Sequence, residues 1–237
     1  MNSEITILAI TAASVGFIHT LFGPDHYLPF IVLAKSRKWS YRKTGIITLI
    51  CGLGHVGSSI VLGLIGVAFG LGIHKLKNLE AGRGGLVGWL FIAFGLAYFI
   101  WGIWQAILNK PHSHLHLHEG GESHEHFHEH VTGHTHIHGS KKIPKMTPWI
   151  LFIIFVLGPC EPLIPILMYP AAEINISGLI LVTSVFAITT ILTMLAVVFI
   201  TLRGINLIPL GKAERYTHLV AGAMILLSGV AMQFLGL

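Results

Sequence analysis

HTLFGPDHYLP, residues 19–29, interrupts an apolar run with two histidines, an aspartate and two prolines. On either side the chain is lipid-soluble, with AITAASVGFI before it and FIVLA after it. An ionisable group is costly inside a bilayer, so His19, Asp25 and His26 are expected to point inward and to have a function there. Proline removes a backbone donor and clashes with the preceding turn. In lipid the carbonyls it frees must be re-satisfied by protein, water or an ion. The stretch therefore reads as a broken membrane helix with polar groups at the break.

The rest of the chain supports a membrane setting. Of 237 residues 53% are hydrophobic and 11% charged, with a mean hydropathy of +0.75. Soluble domains carry about 25% charged residues, so the composition predicts an all-α integral membrane protein and gives no reason to expect a nucleic-acid partner. Six segments are long enough to cross a hydrocarbon core, which takes about 20 helical residues. They lie near 5–34, 44–72, 84–108, 149–171, 177–202 and 215–236. The opening MNSEITILAI has no basic region like that of a cleaved signal, so the first segment reads as a retained span.

Basic residues set the expected orientation. Lys35, Arg37, Lys38, Arg42 and Lys43, Lys110, Lys141, Lys142 and Lys145, and Arg203, Lys212 and Arg215 fall on one side. Only Lys75, Lys77 and Arg83 fall on the other. The positive-inside rule then puts both termini outside and the long 109–148 connection in the cytoplasm of a multi-pass protein of the cytoplasmic membrane.

GPDHYLPFIVLA (23–34) resembles GPCEPLIPILMY (158–169), and GVAFGLGI (66–73) is echoed by VFITLRGI (198–205). The expectation is two inverted three-helix repeats, residues 1–108 and 149–237, with helices 1 and 4 broken at Gly23-Pro24 and Gly158-Pro159. Pro29, Pro162 and Pro165 extend the two breaks. Transporters commonly use this plan, with a midplane site at the discontinuous helices.

Within the spans the ionisable or metal-ligating residues are His19, Asp25, His26, His55, Cys160 and Glu161. Imidazoles with a carboxylate, and a thiolate if Cys160 joins them, suit a borderline metal such as Ni²⁺, Co²⁺ or Zn²⁺. On a regular helix His19 and His26 share a face but stand about 10 Å apart, too far for one ion. Asp25 and His26 are therefore the first choice and His19 a conditional one. Simpler readings stand beside these. His19 alone suits a buried histidine bonding a carbonyl, and His55 suits a hydrogen bond across a close helix contact. Cys160 and Cys51 suit packing, and Asp25 with His26 suits a proton relay.

The 109–148 connection is of another kind. It carries His112, His114, His116, His118, His124, His126, His128, His130, His134, His136 and His138, eleven of the sixteen histidines. This composition points to a disordered loop that captures transition metal through imidazoles two residues apart.

GFIHTLFGPDHYLP resembles the helix signature of the nickel/cobalt transporter family and of its shorter urease-accessory and efflux-type relatives, and GLGHVGSSIVLG is similar to that family's second conserved segment. The resemblance implies that His19, Asp25, His26 and His55 take part in metal recognition. The family signature places four residues between its histidine and the Asp-His pair, whereas five lie between His19 and Asp25 here. LGPCEPLIP is similar to Pro-Cys elements of the cytochrome-biogenesis thiol–disulfide membrane carriers. That likeness implies a shared architecture, but the position matching Cys160 in the first half is Asp25, so a dithiol relay lacks its second thiol.

The expected function is a secondary transporter for a divalent transition metal, Ni²⁺ or Co²⁺ before Zn²⁺, with no resident cofactor and no enzymatic activity. A cytoplasmic metallochaperone or a further transport subunit is the candidate partner beside lipid and metal. There is no G-x-x-x-x-G-K-[ST] motif for ATP. The alternatives are a transmembrane thiol or electron carrier using Cys160, and a membrane metalloenzyme, for which no clear nucleophile with its base stands out.

Overall fold

The computed structural model describes residues 3–108, 112–117, 123–128, 147–172, 175–207 and 211–235. Helix α1 (Ser3–Phe22) stops just before the first Gly-Pro. The Gly23 amide donates to the His19 carbonyl at 3.0 Å, and Pro24 has no N–H with which to continue the ladder. A 3₁₀ turn (Pro24–His26) and α2 (Leu28–Ser36) follow. Proline is tolerated in the first turn of α2, where its missing N–H would have had no partner anyway.

Helix α3 (Tyr41–Ala68) begins at Ser40, whose Oγ accepts from the Lys43 amide at 3.2 Å, an N-cap bond. Next come α4 (Ile73–Leu108), strands β1 (His112–Leu117) and β2 (Ser123–His128), and α5 (Thr147–Leu157). After the second Gly-Pro break the chain forms α6 (Leu163–Ala172). Helix α7 (Ile176–Asn206) is capped by Asn175, whose Oδ1 accepts from the Gly178 amide at 2.9 Å. A second 3₁₀ turn (Gly211–Tyr216) leads into α8 (Thr217–Leu235).

The expectation of six spanning helices in two inverted three-helix repeats is overturned. Among the described residues there are eight α-helices, and five segments are long and apolar enough to cross a membrane. These are Glu4–Phe22, Tyr41–Ala68, Ile73–Ile107, Ile176–Asn206 and Ala213–Leu235. The reason is the cost of each break. The segment expected at 149–171 divides into helices of 11 and 10 residues, about 15 Å each against a core of about 30 Å. The segment expected at 5–34 becomes one full-length helix and a nine-residue one. The segment expected from residue 84 starts at Ile73, because Lys75, Lys77, Glu80 and Arg83 are all accommodated in α4.

The fold is a multi-pass, mostly helical membrane bundle in which early helices pack on late ones. Helix α1 lies along α7, α3 along α5 and α6, and α4 along α8. The α4–α8 seam is the tightest. Gly88, Gly95 and Gly102 recur at seven-residue intervals on α4 and pack against Gln233, Leu226 and Leu219 of α8, while Gly222 and Gly229 of α8 pack against Phe99 and Ile92 of α4. A Cβ at Gly102 would lie 2.6 Å from the Leu219 backbone nitrogen, and one at Gly229 would lie 2.6 Å from that of Ile92. Lipid supplies no hydrophobic drive between helices, so close backbone approach at small residues supplies the packing energy instead. The central core joins Phe30 and Leu33 of α2, Phe91 of α4, Phe155 of α5, Met194 and Val198 of α7 and Ile225 of α8.

Gly102→Leu and Gly229→Val should each destabilise the bundle by about 2 kcal/mol or more through overpacking. Thermal unfolding in detergent is the check, with Gly57→Ala as the control, since a Cβ there meets nothing within 4 Å.

Candidate metal centre

The two breaks and α3 together build the site. His19 sits in the last turn of α1, His26 ends the 3₁₀ turn, and His55 lies midway along α3. The turn folds the chain back, so the separation a regular helix imposes on His19 and His26 disappears. Their rings are 4.7 Å apart, centre to centre, and nearly perpendicular at 83°. His26 and His55 stand 4.9 Å apart at 86°. Each of the three offers a ring nitrogen, and these atoms all lie within 4.8 Å of one another.

The three Nε2 atoms are buried and have no hydrogen-bond partner. Such an atom in a protein interior needs an explanation, and three on rings this close together share one. His26 shows how the orientation is fixed. Its Nδ1 is 3.2 Å from the Gly23 carbonyl oxygen and 3.2 Å from Asp25 Oδ1. Both neighbours are acceptors, so Nδ1 carries the proton and Nε2 presents its lone pair. A second ring nitrogen bonded to a carboxylate or carbonyl is the usual outer support of a metal-ligating histidine.

His55 has the equivalent arrangement at the other break. Pro159 cannot donate to the Phe155 carbonyl, which is left to the Gly158 amide at 3.0 Å and to the His55 ring. A Cβ at Gly158 would be 3.0 Å from His55 Nδ1, a tight contact that would press on the ring. Bonds of about 2.0–2.1 Å to a metal would place the donors no more than about 4 Å apart, so seating an ion draws the rings slightly together.

The other expected residues take different places. Asp25 stands behind His26 rather than within the group of converging donors. Glu161 is exposed and lines a cavity of about 530 Å³ together with His19, Asp25, His26 and Gln233. Cys160 is fully buried in an apolar cluster with Val56, Leu163 and Phe186 and does not join the histidines. Cys51 lies in the central core. Sequence reasoning passed over Glu80 and Arg83, a pair on α4 beside the second break. Their i, i+3 spacing was a legible signal, but Arg83 was counted among the flanking basic residues.

In the histidine-rich segment β1 and β2 pair antiparallel, with His112 opposite His128, His114 opposite His126 and His116 opposite His124. His118, His130, His134, His136 and His138 lie outside the described residues.

No protein-family model, no curated protein and no solved structure matches the chain. The site itself therefore carries the functional argument: this is a membrane protein with a buried histidine cluster able to coordinate a metal ion.

In purified protein, His19→Ala, His26→Ala and His55→Ala should each weaken Co²⁺ binding at the cluster by roughly tenfold or more. Asp25→Asn should weaken it by about 10–100-fold through loss of the outer support. Cys160→Ser should leave it within about twofold. Titration of the Co²⁺ visible spectrum reads all five.

Proposed function

We propose that the protein is a secondary transporter moving a divalent transition-metal ion across the cytoplasmic membrane, with Ni²⁺ or Co²⁺ as first candidates and Zn²⁺ as the third. The observation that carries this reading is the set of three unpartnered Nε2 atoms converging inside a multi-pass bundle. A structural zinc site would normally close with four protein ligands. Two of the three histidines, His19 and His26, line a cavity of about 530 Å³, which leaves room for water and for exchange. Imidazole donors favour the later first-row divalent metals over Mg²⁺ or Ca²⁺. Asp25 then acts through His26, and Glu161 attracts the cation from the cavity wall.

The sequence likeness to the nickel/cobalt transporter family points the same way, and we read the chain as a relative of its shorter branch. On this reading the histidine-rich segment faces the cytoplasm and exchanges metal with the pathway or with a metallochaperone. A thiol carrier gains nothing from the geometry, since Cys160 and Cys51 occupy separate apolar clusters.

The test is flux in proteoliposomes loaded with a metal-sensitive dye, assayed in both directions with Ni²⁺, Co²⁺ and Zn²⁺. Asp25→Ala and His26→Ala should lower flux by tenfold or more, and unchanged flux in both would sink the proposal. Ligation needs neutral imidazole and protons compete with the metal for it, so apparent affinity should fall as the medium is made more acidic. Deleting residues 112–138 should change apparent affinity or regulation while transport persists.

A further inference from the structure

Helix α5 ends in Val156-Leu157-Gly158-Pro159-Cys160, and the polar backbone groups of this break find their partners on another helix. In a continuous helix the Cys160 amide would donate to the Val156 carbonyl, and the amide of residue 162 to that of Gly158. Residue 162 is proline and has no such amide. Arg83 of α4 takes both carbonyls instead, with Nη2 donating to Val156 O at 2.9 Å and to Gly158 O at 3.1 Å. The released Cys160 amide donates to Glu80 Oε2 at 3.0 Å and to Ser59 Oγ at 3.2 Å.

The match is one of sign: a guanidinium meets the freed acceptors and a carboxylate meets the freed donor. Glu80 is fully buried, and Arg83 Nη1 bonds its Oε1 at 2.5 Å. A charged pair in a membrane helix is expensive, while each unsatisfied backbone group in hydrocarbon costs several kcal/mol. Three such groups at one break justify the pair.

The same network reaches His55. Arg83 Nη2 donates to Ser58 Oγ at 2.7 Å, and Ser58 Oγ donates to the His55 carbonyl at 2.9 Å. On the far side of the break, Gly158 and Phe155 lie against the His55 ring. Neither Glu80 nor Arg83 belongs to the converging donors. We infer that Glu80 and Arg83 are a positioning pair for the metal centre, holding the 156–160 break against His55 so that its Nε2 meets those of His19 and His26. This rests on the histidine cluster being the metal site.

The experiment uses full-length protein in detergent, titrated with Co²⁺. Subtracting the His55→Ala spectrum from the wild-type one isolates the cluster from the histidine-rich segment. Glu80→Gln and Arg83→Gln should each lower the affinity of this component about tenfold and shift its visible bands, and Arg83→Lys should recover about a third of the loss. Glu80→Gln keeps shape and an acceptor for the Cys160 amide, so it serves if Arg83→Gln fails to fold. Affinity and bands matching wild type in folded Glu80→Gln protein would overturn the inference, however far the melting temperature falls. A His55→Ala protein that binds Co²⁺ as wild type does would overturn the cluster itself, and the pair's role with it.

Discussion

Two prolines, Pro24 and Pro159, each withhold an N–H inside an apolar helix bundle, and the centre of the molecule is organised around that deficit. At the first break the Gly23 carbonyl and the Asp25 carboxylate hold the proton-bearing side of His26. At the second, the carbonyl of Phe155 lies against His55. Backbone acceptors that would be liabilities in lipid thus become supports for imidazole rings. The helix break and the metal-binding geometry are one feature.

The ligand set also bears on how firmly an ion would be held. Three imidazoles are neutral when they ligate, so a divalent ion among them keeps its full charge in a medium of low dielectric. Asp25, one hydrogen bond behind His26, and Glu161 on the cavity wall offset part of that charge without bonding the ion in the same way. A thiolate would hold a soft or borderline metal more tightly, and Cys160 is turned into an apolar cluster instead. The arrangement favours selection by nitrogen donors over permanent capture.

The breaks were legible in the sequence because Gly-Pro in an apolar run has few other meanings. His26 and His55 were legible for a similar reason, as polar residues with no place in lipid. The standing of His19 was not, because its distance from His26 was judged on a regular helix and the 3₁₀ turn removes that premise. Adjacency in sequence does not say that Asp25 turns one oxygen to the His26 ring, 3.2 Å from its Nδ1. The span count failed at residues 147–172, where total length looked sufficient but the break leaves neither piece able to cross. Glu80 and Arg83 were lost because a hydropathy window ends where charges begin, and their partners are backbone groups more than seventy positions away.

The exchange of partners between early and late helices has a consequence for how the chain is made. Helices α1, α3 and α4 find their main neighbours in α7, in α5 and α7, and in α8. All three histidines of the cluster are synthesised before any of these neighbours exist. Until residue 160 enters the bilayer, the buried carboxylate and guanidinium of α4 have no backbone break to serve, and His55 has no wall behind it. The packing around the cluster is therefore completed only by segments that follow the histidine-rich one in the chain.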